Sequence, residues 1–172
     1  DSVFTDWHTF YLRAIDNEYS FSKPVQRYFN ARTIAPTAEI TFPVARDLGS
    51  VAQLQRTIAV QWKGEDIDSS RPDRKPLAYE YKLVRVINMP SDDAFYVDSL
   101  RNGQNILDSL GIGSKSKWIR VPRTTTQLAL RDLPIDGQLA FGVRAVDEAG
   151  AIEPSLDNRR NFIVFAVTAA AS

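Results

Sequence analysis

The sequence predicts an all-β protein in which antiparallel strands form a two-layer sandwich, interrupted by one short helical insertion. Apolar and polar side chains alternate at period two in several segments, as they do in strands with one buried face. Clusters of Asp, Gly, Pro and Ser separate these segments and supply turns. About seven such strands follow residue 34, which is the number that a two-layer β-protein of this size contains.

The composition is that of a globular chain with balanced charge. Of its 172 residues 44% are apolar, and 21 basic residues match 21 acidic ones. This balance gives no electrostatic reason to expect nucleic acid as a partner. No apolar run approaches the roughly 20 residues of a membrane helix, so we expect no membrane span. Because Cys is absent, disulfides, thiolate metal sites and cysteine nucleophiles are excluded.

An internal repeat organises the chain. Residues 8–16 align with residues 139–147, and Phe, Arg, Ala and Asp coincide at the same spacing. After a loop, residues 27–29 are predicted to match residues 160–162 with a small change in length. Each copy is therefore predicted to be a pair of strands joined by a turn.

The repeat predicts two units. Residues 1–33 are interpreted as the C-terminal strands of a preceding, incomplete β-sandwich repeat, and residues 34–172 as one whole module. The predicted strands of the second unit are residues 39–42, 56–62, 77–86, 117–121, 125–130, 138–146 and 161–167. Residues 51–55 are compatible with a loop or with a short turn of helix. In the strand at 138–146, the period of two places four alternate apolar side chains on one face: Leu139, Phe141, Val143 and Ala145.

The stretch 91–114 does not follow the strand period. Ser91 and the two Asp residues after it are typical of a helix start, and Gly103 and Gly111 interrupt the apolar pattern. We expect one or two short helices in an insertion between strands. A connection of this length in a compact domain is often functional.

The order of several segments resembles a fibronectin type III-like module. They are Trp62, residues 79–83, Trp118, residues 130–134 and residues 143–150. Modules of this kind occur in tandem in bacterial exported proteins and lipoproteins. The resemblance implies an immunoglobulin-like antiparallel β-sandwich and a habit of binding proteins or polysaccharides, and it implies no particular ligand.

The chain departs from that family pattern in two ways. The usual Tyr near the start of the penultimate strand is replaced by Leu139, and by His8 in the first copy. The tyrosine hydroxyl that ties down the neighbouring corner is therefore missing. The helical insertion is also extra.

Residues for catalysis are scarce. His8 is the only histidine, so neither a histidine-dependent triad nor a histidine-rich metal site can be built within one chain. There is no phosphate-binding glycine loop and no dinucleotide fingerprint. We therefore expect no enzyme activity, no catalytic residues and no cofactor.

Acidic residues follow two predicted strands whose loops lie at the same end of a fibronectin type III arrangement. Several carboxylates at one pole could hold Ca²⁺, which takes six or more oxygen ligands. In the alternative interpretation, these side chains hydrogen-bond their own turns. The weak calcium candidates are Glu65, Asp66, Asp68, Asp147 and Glu148.

Aromatic residues form two groups with different interpretations. Those on predicted strands of the second unit are typical of a core, such as Trp62, Tyr79, Tyr81 and Trp118. Those of the first unit have too few strands to cover them, because an isolated two-stranded hairpin is marginal in water. The candidate partner-binding residues are Trp7, Tyr11, Tyr19, Phe21 and Tyr28, with Phe95 and Tyr96 in the insertion.

These features predict a non-catalytic, extracytoplasmic structural or protein-binding module, in the periplasm or at the cell surface. One version is an accessory subunit docked on the periplasmic or outer face of a membrane-protein assembly, with any lipid anchor outside this chain. The expected partners are other protein subunits. The alternative is a carbohydrate-binding or spacer module of an exported enzyme, which predicts a row of exposed aromatic side chains.

Overall fold

The computed structural model describes residues 7–30, 33–44, 52–86, 103–135 and 137–168. The regular secondary structure of these residues is mostly β-strand, as predicted. The chain divides into two compact units, Asp1–Ile34 and Ala35–Ser172. The origin of the first unit in a preceding repeat stays a prediction.

The first unit is a β-hairpin. Strand β1 (Trp7–Leu12) pairs antiparallel with β2 (Val25–Asn30), and Phe10 lies opposite Arg27. One further bridge, between Ile15 and Phe21, continues the ladder toward the turn. Both copies of the predicted repeat therefore begin with a strand.

The second unit contains two sheets. Its strands are β3 (Thr37–Phe42), β4 (Ala52–Leu54), β5 (Ile58–Glu65), β6 (Ala78–Val86), β7 (Ile119–Pro122), β8 (Gln127–Leu130), β9 (Gln138–Val146) and β10 (Phe162–Val167). One sheet has the order β3–β5–β8, and the other has the order β4–β10–β9–β6–β7. All neighbouring strands are antiparallel except β4, which runs parallel to β10.

Strand β4 lies in residues 51–55, a segment whose sequence is compatible with a loop or with a short turn of helix. Three residues are too short to display an alternation, so the local pattern carries no strand signal. The pairing of Ala52 with Phe165 and of Leu54 with Val167 defines the strand instead. The seven strands predicted in the second unit are confirmed to within a few residues at their ends.

Side chains from both sheets meet in one core. The Trp62 ring on β5 lies 6.1 Å from the Tyr79 ring on β6 and 6.2 Å from the Phe141 ring on β9. The four residues predicted to share a face of β9 all belong to this core: Leu139, Phe141, Val143 and Ala145. The period-two prediction is thus confirmed for that face.

The opposite face of β9 is also covered, which the alternation does not predict. A helical turn, Gly103–Asn105 (α1), continues as a π-helical turn, Ile106–Leu110, and packs its Ile106 and Leu107 against a second apolar cluster. That cluster includes Ala140, which the pattern places on the outer face. The predicted helical insertion is confirmed within 103–110, and residues 91–102 lie outside the described residues.

Among the described residues, no helix has the length and apolar character needed to cross a membrane.

Candidate functional site

The turn of the first hairpin is organised by Asp16. Its Oδ1 accepts hydrogen bonds from the backbone N–H of Glu18 at 2.9 Å and of Ser20 at 2.8 Å. The N–H of Tyr19 donates to the Asp16 carbonyl, and Tyr19 has a positive φ of 62°. The aspartate thus caps a tight turn whose fourth residue is left-handed.

The turn after β9 has the same construction. Oδ1 of Asp147 accepts from the N–H of Ala151 at 2.7 Å, and the N–H of Gly150 donates to the Asp147 carbonyl. Gly150 also has a positive φ, 85°. A Val146–Ile152 bridge follows, as the Ile15–Phe21 bridge does in the first hairpin.

The correspondence extends to the side chain that follows each turn. The N–H of Ala14 donates to Ser22 Oγ at 2.9 Å, and the N–H of Ala145 donates to Glu153 Oε2 at 3.2 Å. In both hairpins, then, the side chain of the residue directly after the bridge accepts from the residue directly before the bridge. The first strand and the turn that follows it thus have similar geometry in the two hairpins.

The predicted match of residues 27–29 with 160–162 is wrong. His8 pairs with Phe29, and its counterpart Leu139 pairs with Phe165. Phe29 therefore corresponds to Phe165 and not to Phe162. The error arises because the connections after the two turns differ in length. Sequence similarity therefore aligns Phe29 with one residue of the second hairpin, whereas strand pairing aligns it with another.

The two hairpins differ in how their apolar side chains are covered. Phe10 is 54% exposed and Leu12 is 60% exposed. Their counterparts Phe141 and Val143 are completely buried. The first hairpin thus presents to solvent the face that the second hairpin buries.

The structure places most of the predicted partner-binding residues on this hairpin. Tyr11, Tyr19 and Phe21 are exposed, and Tyr19 is the most exposed at 80%. The guanidinium of Arg13 stacks 3.9 Å from the centre of the Phe21 ring. Trp7 lies on β1 and Tyr28 on β2. The insertion candidates Phe95 and Tyr96 lie outside the described residues.

The two acidic loops lie at one end of the second unit. Ser69 Oγ donates to Glu148 Oε1 at 3.2 Å, and Arg71 Nε pairs with the same oxygen at 3.2 Å. The loop after β5 and the turn after β9 therefore touch each other, as the calcium hypothesis required.

Asp66 is the buried member of this acidic group. Its side chain is 1% exposed, and neither carboxylate oxygen receives a hydrogen bond from a donor in the described part of the chain. Burial, followed by the hydrogen bond and charge of Asp68 and the charges of Glu148 and Asp147, together raise its pKa to about 6. A neutral Asp66 can donate its proton to Asp68, which is the usual state of two close carboxyl groups.

The acidic group is not arranged as a metal site. Across the described ranges, no set of three or more acidic or histidine side chains is placed to hold a metal ion. Asp147 uses Oδ1 to cap its own turn, as the alternative interpretation states. Glu65 is exposed at the end of β5. Calcium thus gains no support from the geometry.

A buried lysine joins β6 to the insertion, and sequence reasoning missed it. Lys82 is 3% exposed, and its Nζ donates to the Ser114 carbonyl at 2.6 Å and to Asp108 Oδ1 at 3.0 Å. Trp118 Nε1 donates to the same oxygen at 3.1 Å, while Arg144 lies 4.1 Å above the indole ring. The only sequence signal was that Lys82 lies on the same face of its strand as the apolar residue Val84.

No protein-family model matches the sequence, and no curated protein matches it either.

Proposed function

We propose that this chain is a non-catalytic, extracytoplasmic structural or protein-binding module, built from tandem immunoglobulin-like β-sandwiches of the fibronectin type III kind. Its partners are other protein subunits, and one fitting role is that of an accessory subunit on the outer side of a membrane-protein assembly. The observation that carries the proposal is the repeated hairpin, whose apolar face is buried in one copy and exposed in the other.

The second unit supports the sandwich interpretation. Its two sheets share the core around Trp62 and Phe141, and a short strand pairs parallel with the last strand at one sheet edge. Antiparallel sheets packed in this way place the variable loops at the ends, where immunoglobulin-like modules bind their partners.

The exposed hairpin supports protein binding. A two-stranded sheet gains too little burial to be stable alone in water. Phe10, Leu12 and Phe21 each leave more than half of their surface in solvent. Covering them with a protein partner would stabilise the hairpin by removing this apolar surface from water.

The aromatic side chains of the second unit do not favour the carbohydrate alternative. Trp118 is engaged by Arg144 and Asp108, and Tyr81 stacks on Phe141 with ring centres 6.0 Å apart. Trp62 is buried. These rings are used within the module, whereas a sugar platform needs aromatic faces in a row on the surface.

The test uses the native protein in its own cells. A Phe10→Ser, Leu12→Ser double variant removes the exposed apolar face, and Ile67→Ser is a matched control at an exposed position of the second unit. Wild type and control should migrate on native gels with a larger assembly of the cell-envelope fraction. The double variant should migrate alone, with unchanged circular dichroism.

Three results would contradict the proposal. Wild-type protein that is always monomeric has no subunit partner, and protein found only in the cytoplasmic fraction is not extracytoplasmic. Protection from a protease added to intact, outer-membrane-permeabilised cells would also count against the location.

A further inference from the structure

We propose that the second unit binds a medium-chain alkyl carboxylate in a cavity between its two sheets, on the side where β7 and β8 are the edge strands. The cavity has a volume of about 330 Å³. Small-molecule sites in proteins occupy about 300–1,000 Å³, so the space suits a small ligand. The described residues that line the cavity all belong to the second unit, so this site is independent of the proposed binding by the first hairpin.

Strand pairing explains why the two layers are open on this side. Strand β7 pairs with residues 78–81 of β6, and the next pairing along that edge is the bridge between Arg85 and Ile112. Within the described ranges, no strand therefore covers the edge of β6 at Leu83. In the facing sheet the edge strand is β8. Because packed sheets lie about 10 Å apart, two uncovered edges leave access to the side chains between them.

The cavity is lined mainly by the apolar core. Leu130 and Leu133 are buried members of the core cluster, and both line the cavity. Tyr81 and Leu83 line it from β6, and Leu128 lines it from β8 in the other sheet. These three side chains are only partly buried against the core. Alternate residues of extended strands give an apolar lining that is elongated along the strands, which suits an extended alkyl chain.

The charged residues at the cavity favour an anionic head group. Lys117 and Arg131 line the cavity and are exposed, and neither has a hydrogen bond or ion pair with another residue in the described part of the chain. The third cation, Lys82, is already bound to Asp108 and to the Ser114 carbonyl. None of the described lining residues is acidic. A carboxylate would accept charge-assisted hydrogen bonds from the two unpaired cations.

Titration of the 172-residue chain with decanoate, followed by two-dimensional ¹H–¹⁵N NMR spectra, tests the site. Decanol carries the same alkyl chain without a charge, and decyltrimethylammonium carries the opposite charge. Decanoate should shift the amide signals of residues 81–83 and 128–131 saturably, and the cationic probe should not shift them. Decanoate should bind about five-fold more tightly than decanol, as expected for a carboxylate paired with exposed cations. Added salt should weaken the binding of decanoate and not that of decanol.

A charge-neutralising variant separates the head group from the chain. Lys117→Gln combined with Arg131→Gln changes two exposed side chains and leaves the core intact. This variant should bind decanoate no more tightly than decanol, and its affinity for decanol should be unchanged. The matched control combines Lys23→Gln with Lys115→Gln, which makes the same change in net charge at exposed positions that do not line the cavity. The control should keep the preference for decanoate.

A cavity-filling variant tests the place of the alkyl chain. Leu83→Trp puts a larger side chain into the cavity and should weaken the binding of both decanoate and decanol, with circular dichroism as the check on folding. If this variant does not fold, the charge variant and its control still decide the proposal.

Four results would overturn the proposal. They are equal binding of decanoate and decanol by the wild type, an equal loss of preference in the control, and no saturable shift below the concentration at which decanoate forms micelles. The fourth is a set of shifts confined to residues 10–21, which would show that the exposed apolar side chains of the first hairpin bind the probe.

Discussion

The backbone N–H of Ala38 on β3 donates a 2.9 Å hydrogen bond to the carboxylate of Glu153, and the same oxygen accepts from the N–H of Ala145 on β9. Since β3 and β9 belong to different sheets, one buried side chain joins the two layers. Arg160 pairs with the other oxygen. Burial raises the pKa of Glu153, against the opposing influence of Arg160 and of the backbone donors.

Replacing this carboxylate should destabilise the second unit. Glu153→Ala leaves two buried N–H groups without an acceptor, and each such group costs about 1–3 kcal/mol. We expect the free energy of unfolding in urea to fall by about 2–4 kcal/mol. The control is Glu39→Ala, which removes an exposed pair with Lys63 and should cost less than about 1 kcal/mol. Similar losses in both variants would show that Glu153 does not join the sheets.

The raised pKa of Asp66 predicts that this residue lowers the stability of the folded protein in a pH-dependent way. An acid whose pKa is higher in the folded protein than in the unfolded chain loses stability as pH rises, because the unfolded chain releases its proton first. Here the interval runs from 3.8 to about 6. Asp66→Asn should therefore gain stability relative to wild type across this interval, on the order of 2 kcal/mol.

The measurement is the difference in melting temperature between variant and wild type, at pH values below and above that interval. The control is Asp132→Asn, at an exposed position outside the acidic group. A melting-temperature difference between Asp66→Asn and wild type that stays constant or shrinks as pH rises would contradict this prediction.

Gly142 permits the insertion to approach β9. An added Cβ would overlap the Leu107 side chain and lie 3.5 Å from Trp118 Cη2. Gly142→Ala should reduce the free energy of unfolding by about 1–3 kcal/mol through overpacking. Combining it with Leu107→Ala should cost less than the sum of the two single changes, since the truncated leucine frees the space. Strict additivity would mean that the two residues are not in contact.

Lys82 anchors the insertion by a polar network. Lys82→Met keeps the length of the side chain but leaves the Ser114 carbonyl without its donor and Asp108 without its cation. We expect a loss of about 1–3 kcal/mol in urea unfolding, because Asp108 is partly exposed and retains Trp118 as a donor.

Lys63→Met is the matched control for that network. Its ammonium group is exposed and pairs on the surface with Glu39 at 2.8 Å, so its loss should change stability by less than about 1 kcal/mol. Amide exchange in residues 103–114 should accelerate in Lys82→Met alone, because opening there needs only the network to break. Unchanged exchange would show that apolar packing holds the insertion by itself.

The sequence by itself determined the features that depend on neighbouring residues. Period-two alternation located the strands, and the alignment of Asp16 with Asp147 located two identical turns, because both signals arise within a few residues. The apolar face of β9 followed from the same local pattern.

The tertiary structure alone decided what covers each strand. Strand β4 exists through its pairing with β10, Phe29 corresponds to Phe165 through cross-strand register, and Lys82 and Glu153 are buried by segments distant in sequence. Pairing and burial depend on contacts between residues far apart in the chain, so a local period carries no information about them. The same physical reason separates the two hairpins, which share a turn but differ in their neighbours.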